Sequence, residues 1–106
     1  MIIGYARIST ADQNFHLQLD ALNKAGCERI FKETVSGTLP DKIELKEVLG
    51  QLRKGDTLIV WRLDRLGRTL KSLIELVNHL KEQGVYFKSI MDAIDTSTPI
   101  GQFFFH

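Results

Sequence analysis

The 106-residue sequence predicts a three-layer α/β domain, in which helices flank a mostly parallel sheet of four to five strands. Short apolar runs rich in β-branched and aromatic residues alternate along the chain with segments of helical periodicity. Each connection is long enough to hold a helix, and strands joined by such crossovers lie parallel. Because no repeat, linker or low-complexity tract divides the chain, we expect one domain.

The first strand is a nearly continuous apolar run from Ile2 to Ile8. Such a run is typical of a central strand that is buried on both faces. Arg7 and Ser9 stand at its carboxyl end, where ligands of open α/β sheets bind. We therefore expect the functional site around Ser9, with Tyr5 in the core and its hydroxyl near the site.

The first helix is predicted to begin within Thr10–Gln13, which has capping-box spacing, and to end at Gly26. Its apolar face comprises Leu17, Ala21, Leu22 and Ala25. Residues 29–34 form the second strand, and a loop containing Gly37 and Pro40 follows.

The second helix is predicted to start at Asp41 and to stop at Gly55, before a third buried strand at residues 57–61. Its core face comprises Leu45, Val48, Leu49 and Leu52. The third helix starts at Thr69 and ends at Gly84. Its inward face comprises Leu73, Ile74, Val77 and Leu80.

The fourth strand is predicted at residues 85–90, and Ala93–Ile94 is at most a short edge segment. Thr98 and Pro99 have the pattern of a helix start. The order of these elements is the alternation of strands and helices that gives a parallel sheet.

The composition is that of an ordinary soluble globular protein, with 43% hydrophobic and 25% charged residues. The net charge is only +1, so the overall charge does not indicate a nucleic-acid partner. If the protein binds nucleic acid, a local cluster of cationic residues must bind the phosphates. The single cysteine, Cys27, fits a reducing cytoplasm and is predicted to be buried. No apolar run approaches membrane-spanning length, so we expect a cytoplasmic protein without a membrane partner.

The segments that leave the predicted strands bring together hydroxyls, guanidinium groups and an acid. These residues are Arg7, Ser9, Ser36, Asp64, Arg65 and Arg68. Arginines bind phosphate oxygens in bidentate fashion and can stabilise the charge of a pentacoordinate transition state. A serine among them is a candidate nucleophile.

Each part of this set also has an ordinary structural interpretation. Ser9 can be a helix cap, and Ser36 can mark a turn. Residues 62–68 can form a solvated loop in which arginines pair with Asp64. The combination of all three segments favours the functional interpretation.

Three separated motifs resemble the catalytic motifs of the serine recombinases, specifically the resolvase and DNA invertase group. They are Tyr5–Thr10, Ser36–Gly37 and Leu63–Arg68, and they are followed by Ile94–Phe105, which is similar to the invertase segment entering the long dimerisation helix. The resemblance runs over all 106 residues. It implies a resolvase-like catalytic domain at residues 1–98, a truncated start of the dimerisation helix at 99–106, and no C-terminal helix-turn-helix domain.

The resemblance implies that Ser9 attacks a DNA phosphodiester and forms a 5′-phosphoserine link. Arg7, Arg65 and Arg68 would hold the scissile phosphate, and Asp64 would orient them or assist proton transfer. The family needs no metal or other cofactor, because the phosphoserine bond retains the energy for religation.

Lys42, Ser36 and Tyr5 are the further residues expected to bind phosphate or DNA. Lys42 departs from the family, whose members commonly have an arginine there. Lysine keeps the charge but lacks the planar fork of arginine.

The expected partner is double-stranded DNA at a recombination site. Full-length family members act as dimers and tetramers, whereas we expect this chain to be a monomer or weakly associated. Two other function classes stay open: a non-catalytic remnant or regulator that pairs with full-length recombinases, and a flavodoxin-like phosphoacceptor using Asp64 or an N-terminal acid. Against the phosphoacceptor, the chain lacks the acidic cluster that would bind Mg²⁺ after the first strand.

Overall fold

The computed structural model describes residues 1–9, 15–35, 43–62, 70–92 and 94–96, and the fold is given for these residues. Among them the strands are β1 (Ile2–Ser9), β2 (Arg29–Val35), β3 (Thr57–Val60), β4 (Tyr86–Ser89) and β5 (Ile94–Asp95). The helices are α1 (Phe15–Lys24), α2 (Ile43–Gln51) and α3 (Leu70–Glu82).

The strands form one sheet in the order β2-β1-β3-β4-β5. The first four run parallel, and β5 pairs antiparallel with β4. Tyr5 of β1 pairs with Phe31 on one side and with Val60 on the other, so β1 is an inner strand, as predicted. The predicted α/β fold class is confirmed, including the short edge strand.

The helices cover both faces of the sheet, because alternate residues of each strand point to opposite sides. Ile3 and Tyr5 of β1 pack in a core cluster with α2 and α3 residues. Ala6 packs instead with Leu22 of α1 in a second cluster. Full burial of each large apolar side chain contributes about 1.5–3 kcal/mol. These two clusters hold the three layers together.

Two helices end in the same glycine motif, which supports the predicted stops at Gly26 and Gly84. Their φ angles are +88° and +76°, a region that glycine adopts without steric cost. The N–H groups of Cys27 and Val85 reach back to carbonyls of Leu22 and Leu80, at 3.3 and 2.9 Å. This is the Schellman pattern, in which the residue after the glycine also enters the core.

Four details differ from the sequence-based expectations. Leu17 and Ile74 were expected on inward faces but are 57% and 38% exposed. Each lies about a quarter turn or more from the buried stripe of its helix, which is centred near Gln18 in α1. The helix α2 ends at Gln51, before the turn that contains Gly55. Cys27 is half-buried rather than buried.

Some expectations lie outside the described residues. They are the helix starts at Thr10–Gln13, Asp41, Thr69 and Thr98–Pro99, and the loop around Gly37 and Pro40. Within the described ranges, no helix has the length and apolar character needed to cross a membrane.

Candidate active site

The candidate site lies at the carboxyl end of β1, where the sequence places Arg7 and Ser9. Ser9 is the last residue of β1, and its backbone is in register with Val35 at the end of β2. On the other side, β3 ends at Val60, in register with Tyr5. The carboxyl ends of three adjacent parallel strands therefore share one edge of the sheet.

The described residues include only part of the predicted set. Tyr5 and Arg7 are described in full, and Ser9 by its backbone. The others lie outside the described residues: the Ser9 side chain, Ser36, Lys42, Asp64, Arg65 and Arg68. The segments that carry them follow directly after β2 and β3, or precede α2.

A buried carboxylate supports this edge of the sheet. Glu33 is only 4% exposed, and its Oε1 accepts hydrogen bonds from the Tyr5 hydroxyl at 3.3 Å and the Leu45 N–H at 3.4 Å. Glu33 is also in register with Arg7, so the two residues lie on the same face of neighbouring strands. The carboxylate thus connects β1, β2 and the first turns of α2.

Sequence reasoning missed Glu33, although a signal was present. Phe31 and Glu33 are two residues apart on one strand, and such residues share a face. The buried Phe31 therefore marks position 33 as inward-facing, where a carboxylate needs hydrogen-bond donors. An inward acid next to a predicted site is a candidate for a supporting role.

A buried amide from α1 contacts the backbone of the same strand. Gln18 is fully buried, and its Nε2 donates a hydrogen bond to the Arg7 carbonyl oxygen at 3.2 Å. Its Oε1 has no hydrogen-bond partner among the described residues. Leaving a buried acceptor unpaired costs about 1–3 kcal/mol. Gln18 was not anticipated; its spacing of four from Leu22 is the signal that places it on the buried stripe.

Two further polar groups lie at this edge, at the ends of β3 and β4. The Arg62 guanidinium stacks over the Trp61 ring, 4.9 Å from its centre. The Ser89 hydroxyl donates to the Asp92 carboxylate at 2.7 Å. Among the described residues, no group of three His, Cys, Asp or Glu side chains is arranged to hold a metal ion.

This arrangement favours binding of a phosphate group rather than of an apolar ligand. The cationic Arg7 stands next to Ser9 at the end of an inner strand, with a second guanidinium, Arg62, following β3. The Arg7 carbonyl oxygen accepts a hydrogen bond from the buried Gln18 side chain, and the buried Glu33 lies in register with Arg7 on the neighbouring strand. An arginine and a serine at the carboxyl end of the same strand are suited to phosphoryl chemistry.

Comparison with known proteins agrees with these features. The family model described as the resolvase N-terminal domain matches residues 2–106. The serine recombinase gin of Escherichia phage Mu is 58% identical over 106 residues, which are all of this chain and 55% of that protein. The DNA-invertase of Escherichia phage P1 is 54% identical over the same 106 residues, 57% of its length. The transposon Tn917 resolvase of Enterococcus faecalis is 49% identical over 105 residues, 99% of this chain and 57% of that protein.

The chain therefore spans a little over half the length of these relatives.

Solved structures share its fold at lower identity. The N-terminal catalytic domain of TP901-1 integrase has a TM-score of 0.80 at 23% identity, covering 98% of this chain and 87% of that one. A resolvase family site-specific recombinase from Streptococcus pneumoniae has a TM-score of 0.79 at 15% identity, with coverages of 96% and 80%.

Proposed function

The chain belongs to the resolvase family, whose N-terminal domain it matches over residues 2–106. We propose that it is the catalytic domain of a serine site-specific DNA recombinase. Its activity is the cleavage and rejoining of DNA through a 5′-phosphoserine intermediate. The relatives named serine recombinase, DNA-invertase and resolvase support this reaction class.

The observation that carries the proposal is the position of Arg7 and Ser9 at the carboxyl end of β1. This strand lies between two parallel neighbours, whose following segments contain the other proposed site residues. Ligands of such sheets bind at this edge. In this proposal, all of the chemistry takes place at the carboxyl ends of the parallel strands.

In the proposed cleavage step, the Ser9 hydroxyl oxygen attacks the phosphorus of a DNA phosphodiester. A bond forms between this oxygen and phosphorus, and the bond from phosphorus to the 3′ oxygen breaks. The serine proton is removed, the leaving oxygen takes up a proton as a 3′-hydroxyl, and Asp64 assists this transfer or orients the arginines. Rejoining is the reverse attack by a 3′-hydroxyl on the phosphoserine.

The proposed cationic groups are Arg7, Arg65 and Arg68, which hold the phosphate and stabilise the charge that builds up on its oxygens. Lys42, Ser36 and Tyr5 are proposed to support phosphate or DNA binding. Tyr5 is buried, and its hydroxyl donates to Glu33, so it acts through the packing of β1. The reaction draws on no cofactor, because the phosphoserine bond conserves the energy of the cleaved bond.

The proposed partner is double-stranded DNA in the cytoplasm. Residues 1–98 form the proposed catalytic domain, and residues 99–106 correspond to the start of the dimerisation helix. This chain spans 55% and 57% of two of its relatives, and we propose that sequence-specific binding and stable pairing use the segments of such a recombinase that it does not match.

The proposal is tested by joining residues 1–106 to the remaining C-terminal part of the phage Mu relative and adding a nicked recombination site of that relative. We expect a denaturant-resistant protein–DNA adduct from the parent fusion and none from Ser9→Ala. The control is Gln83→Ala, which changes an exposed residue just after α3 and should leave the adduct unchanged. A folded parent fusion that binds the site without forming an adduct would favour the non-catalytic regulator.

A further inference from the structure

A cavity of about 240 Å³ lies at the opposite edge of the sheet from the candidate active site. It is formed where the turns after α2 and α3 lead into β3 and β4, at the amino ends of these strands. Lys54 lines it from the turn after α2 and Lys81 from the last turn of α3, and Tyr86 and Thr96 complete the wall. Nothing in the proposed cleavage reaction uses these residues.

The backbone around the cavity is fixed by hydrogen bonds. The Gly55 N–H donates to the Gly84 carbonyl oxygen at 2.9 Å, which joins the two turns directly. The stem of Lys54 packs against Gly84 so closely that a Cβ added there would lie 2.8 Å from Lys54 Cγ. The Lys54 stem therefore lies in close contact with the backbone at Gly84.

The charge of the cavity is positive and uncompensated within the described part of the chain. Neither Lys54 nor Lys81 forms an ion pair with a described residue, and no described lining residue is acidic. Asp56, close by in sequence, is engaged by the Met1 amino group at 2.9 Å and the Arg53 N–H at 3.0 Å. Two lysines thus line one cavity to which no described acidic residue contributes.

The hydrogen-bonding groups of the wall also favour an acceptor-rich ligand. Tyr86 is 42% exposed, and its hydroxyl has no hydrogen bond to any described residue. The Thr96 hydroxyl, in contrast, is already bonded to the Phe87 backbone, from which it accepts at 2.7 Å and to which it donates at 3.2 Å. The available groups are therefore two cations and one phenolic donor.

We propose that this cavity binds a phosphate-type oxyanion, held by the ammonium groups of Lys54 and Lys81 and by the Tyr86 hydroxyl. Its volume suits a single phosphate group better than a drug-sized ligand, which needs about 300 Å³ or more. The phosphate can come from the backbone of a DNA duplex or from a small phosphorylated molecule. Because the cavity is at the opposite sheet edge, the proposal does not depend on strand cleavage at Ser9.

The test is a titration of the ¹⁵N-labelled 106-residue chain with inorganic phosphate, followed by backbone amide shifts at constant ionic strength set with chloride. We expect saturable shifts at residues 54–55 and 84–86. Lys54→Gln and Lys81→Gln should each weaken binding about fivefold, whereas the control Lys71→Gln, an exposed lysine elsewhere on α3, should not. Thermal unfolding of each variant verifies that it is folded.

A second arm identifies the source of the phosphate. If a short duplex of arbitrary sequence produces the same shifts and competes with inorganic phosphate, the ligand is the DNA backbone. In that case Lys81→Gln should lower the slope of log affinity against log salt concentration by about one. If the duplex leaves these amides unchanged, the ligand is a small phosphate. Shifts that do not saturate, or that Lys71→Gln reduces as much as Lys81→Gln does, would overturn the proposal.

Discussion

The hydroxyl of Tyr5 lies 3.3 Å from Oε1 of Glu33, the same oxygen that accepts the Leu45 N–H. The inner strand that carries Arg7 and Ser9 is thereby connected through one carboxylate to the beginning of α2. Because Lys42 immediately precedes α2, this carboxylate couples two segments of the proposed site.

Removing the carboxylate should cost more than removing the hydroxyl. Tyr5→Phe removes the long hydrogen bond to Glu33, worth about 1 kcal/mol, whereas Glu33→Ala removes the buried acceptor of two hydrogen bonds and should cost about 2–4 kcal/mol. Urea unfolding followed by circular dichroism measures both. A Glu33→Ala cost equal to or below that of Tyr5→Phe would show that the carboxylate does not bind these donors in solution.

Gln18→Met should separate stability from function. The substitution removes the hydrogen bond to the Arg7 carbonyl but also removes the buried Oε1, which no described residue pairs, so stability should change by less than about 1 kcal/mol. Adduct formation by the fusion with the phage Mu relative should fall, because the Arg7 backbone loses its contact with α1. Gln83→Met, at an exposed position, is the control. Unchanged adduct formation by Gln18→Met would mean that this contact does not position Arg7.

The chemistry of the cationic groups predicts opposite effects of two exchanges. Arg68→Lys should remove most adduct formation although the charge is kept, because an ammonium group cannot make a bidentate contact. Lys42→Arg should be neutral or increase the yield. An Arg68→Lys rate near that of the parent would mean that field strength alone is needed at this position.

The sequence was most informative where one physical signal dominated. Apolar runs and glycine stops identified β1, Gly26 and Gly84, since both depend on local properties of the chain. Glu33 and Gln18 were missed because their burial depends on contacts between elements distant in sequence. Leu17 and Ile74 were misassigned because periodicity defines an apolar stripe only to within about a quarter turn, and packing determines its centre.

Gly4 should not tolerate a side chain while Cys27 is present. A Cβ at Gly4 would lie 2.9 Å from the Cys27 Sγ and 3.3 Å from Ile30 Cγ1. We expect Gly4→Ala to destabilise the protein by about 1–3 kcal/mol, and Cys27→Ala to recover part of this loss in the double variant. The measurement is a double-mutant cycle by chemical unfolding. Strict additivity would show that the sulfur does not contact position 4.

The Cys27 thiol should make stability fall at alkaline pH. Burial raises its pKa to about 11, so the folded protein disfavours the thiolate. The full contribution is present below the unfolded thiol pKa of about 8.5, and it is lost as pH rises from there to about 11.

Between pH 8 and pH 10.5, the free energy of unfolding of Cys27→Ala should fall by about 1 kcal/mol less than that of the parent. The difference is this small because the half-exposed thiol is partly screened by water. Unfolding of both proteins at pH 8 and pH 10.5 measures the difference. Equal pH dependence of the two proteins would mean that the thiol ionises alike in the folded and unfolded states.

The two-residue strand β5 has a consequence for how copies of this chain can meet. Its partner β4 is the last parallel strand on this side of the sheet. The N–H and the carbonyl of Phe87 in β4 both form hydrogen bonds with Thr96. Long exposed edges recruit strands from other molecules and lead to aggregation. Here the pairing groups of β4 are taken up within the chain, and only a short, reversed strand lies outside them. Sheet extension from one molecule to the next is disfavoured on this side, so ordered association through this side must use side-chain surfaces instead.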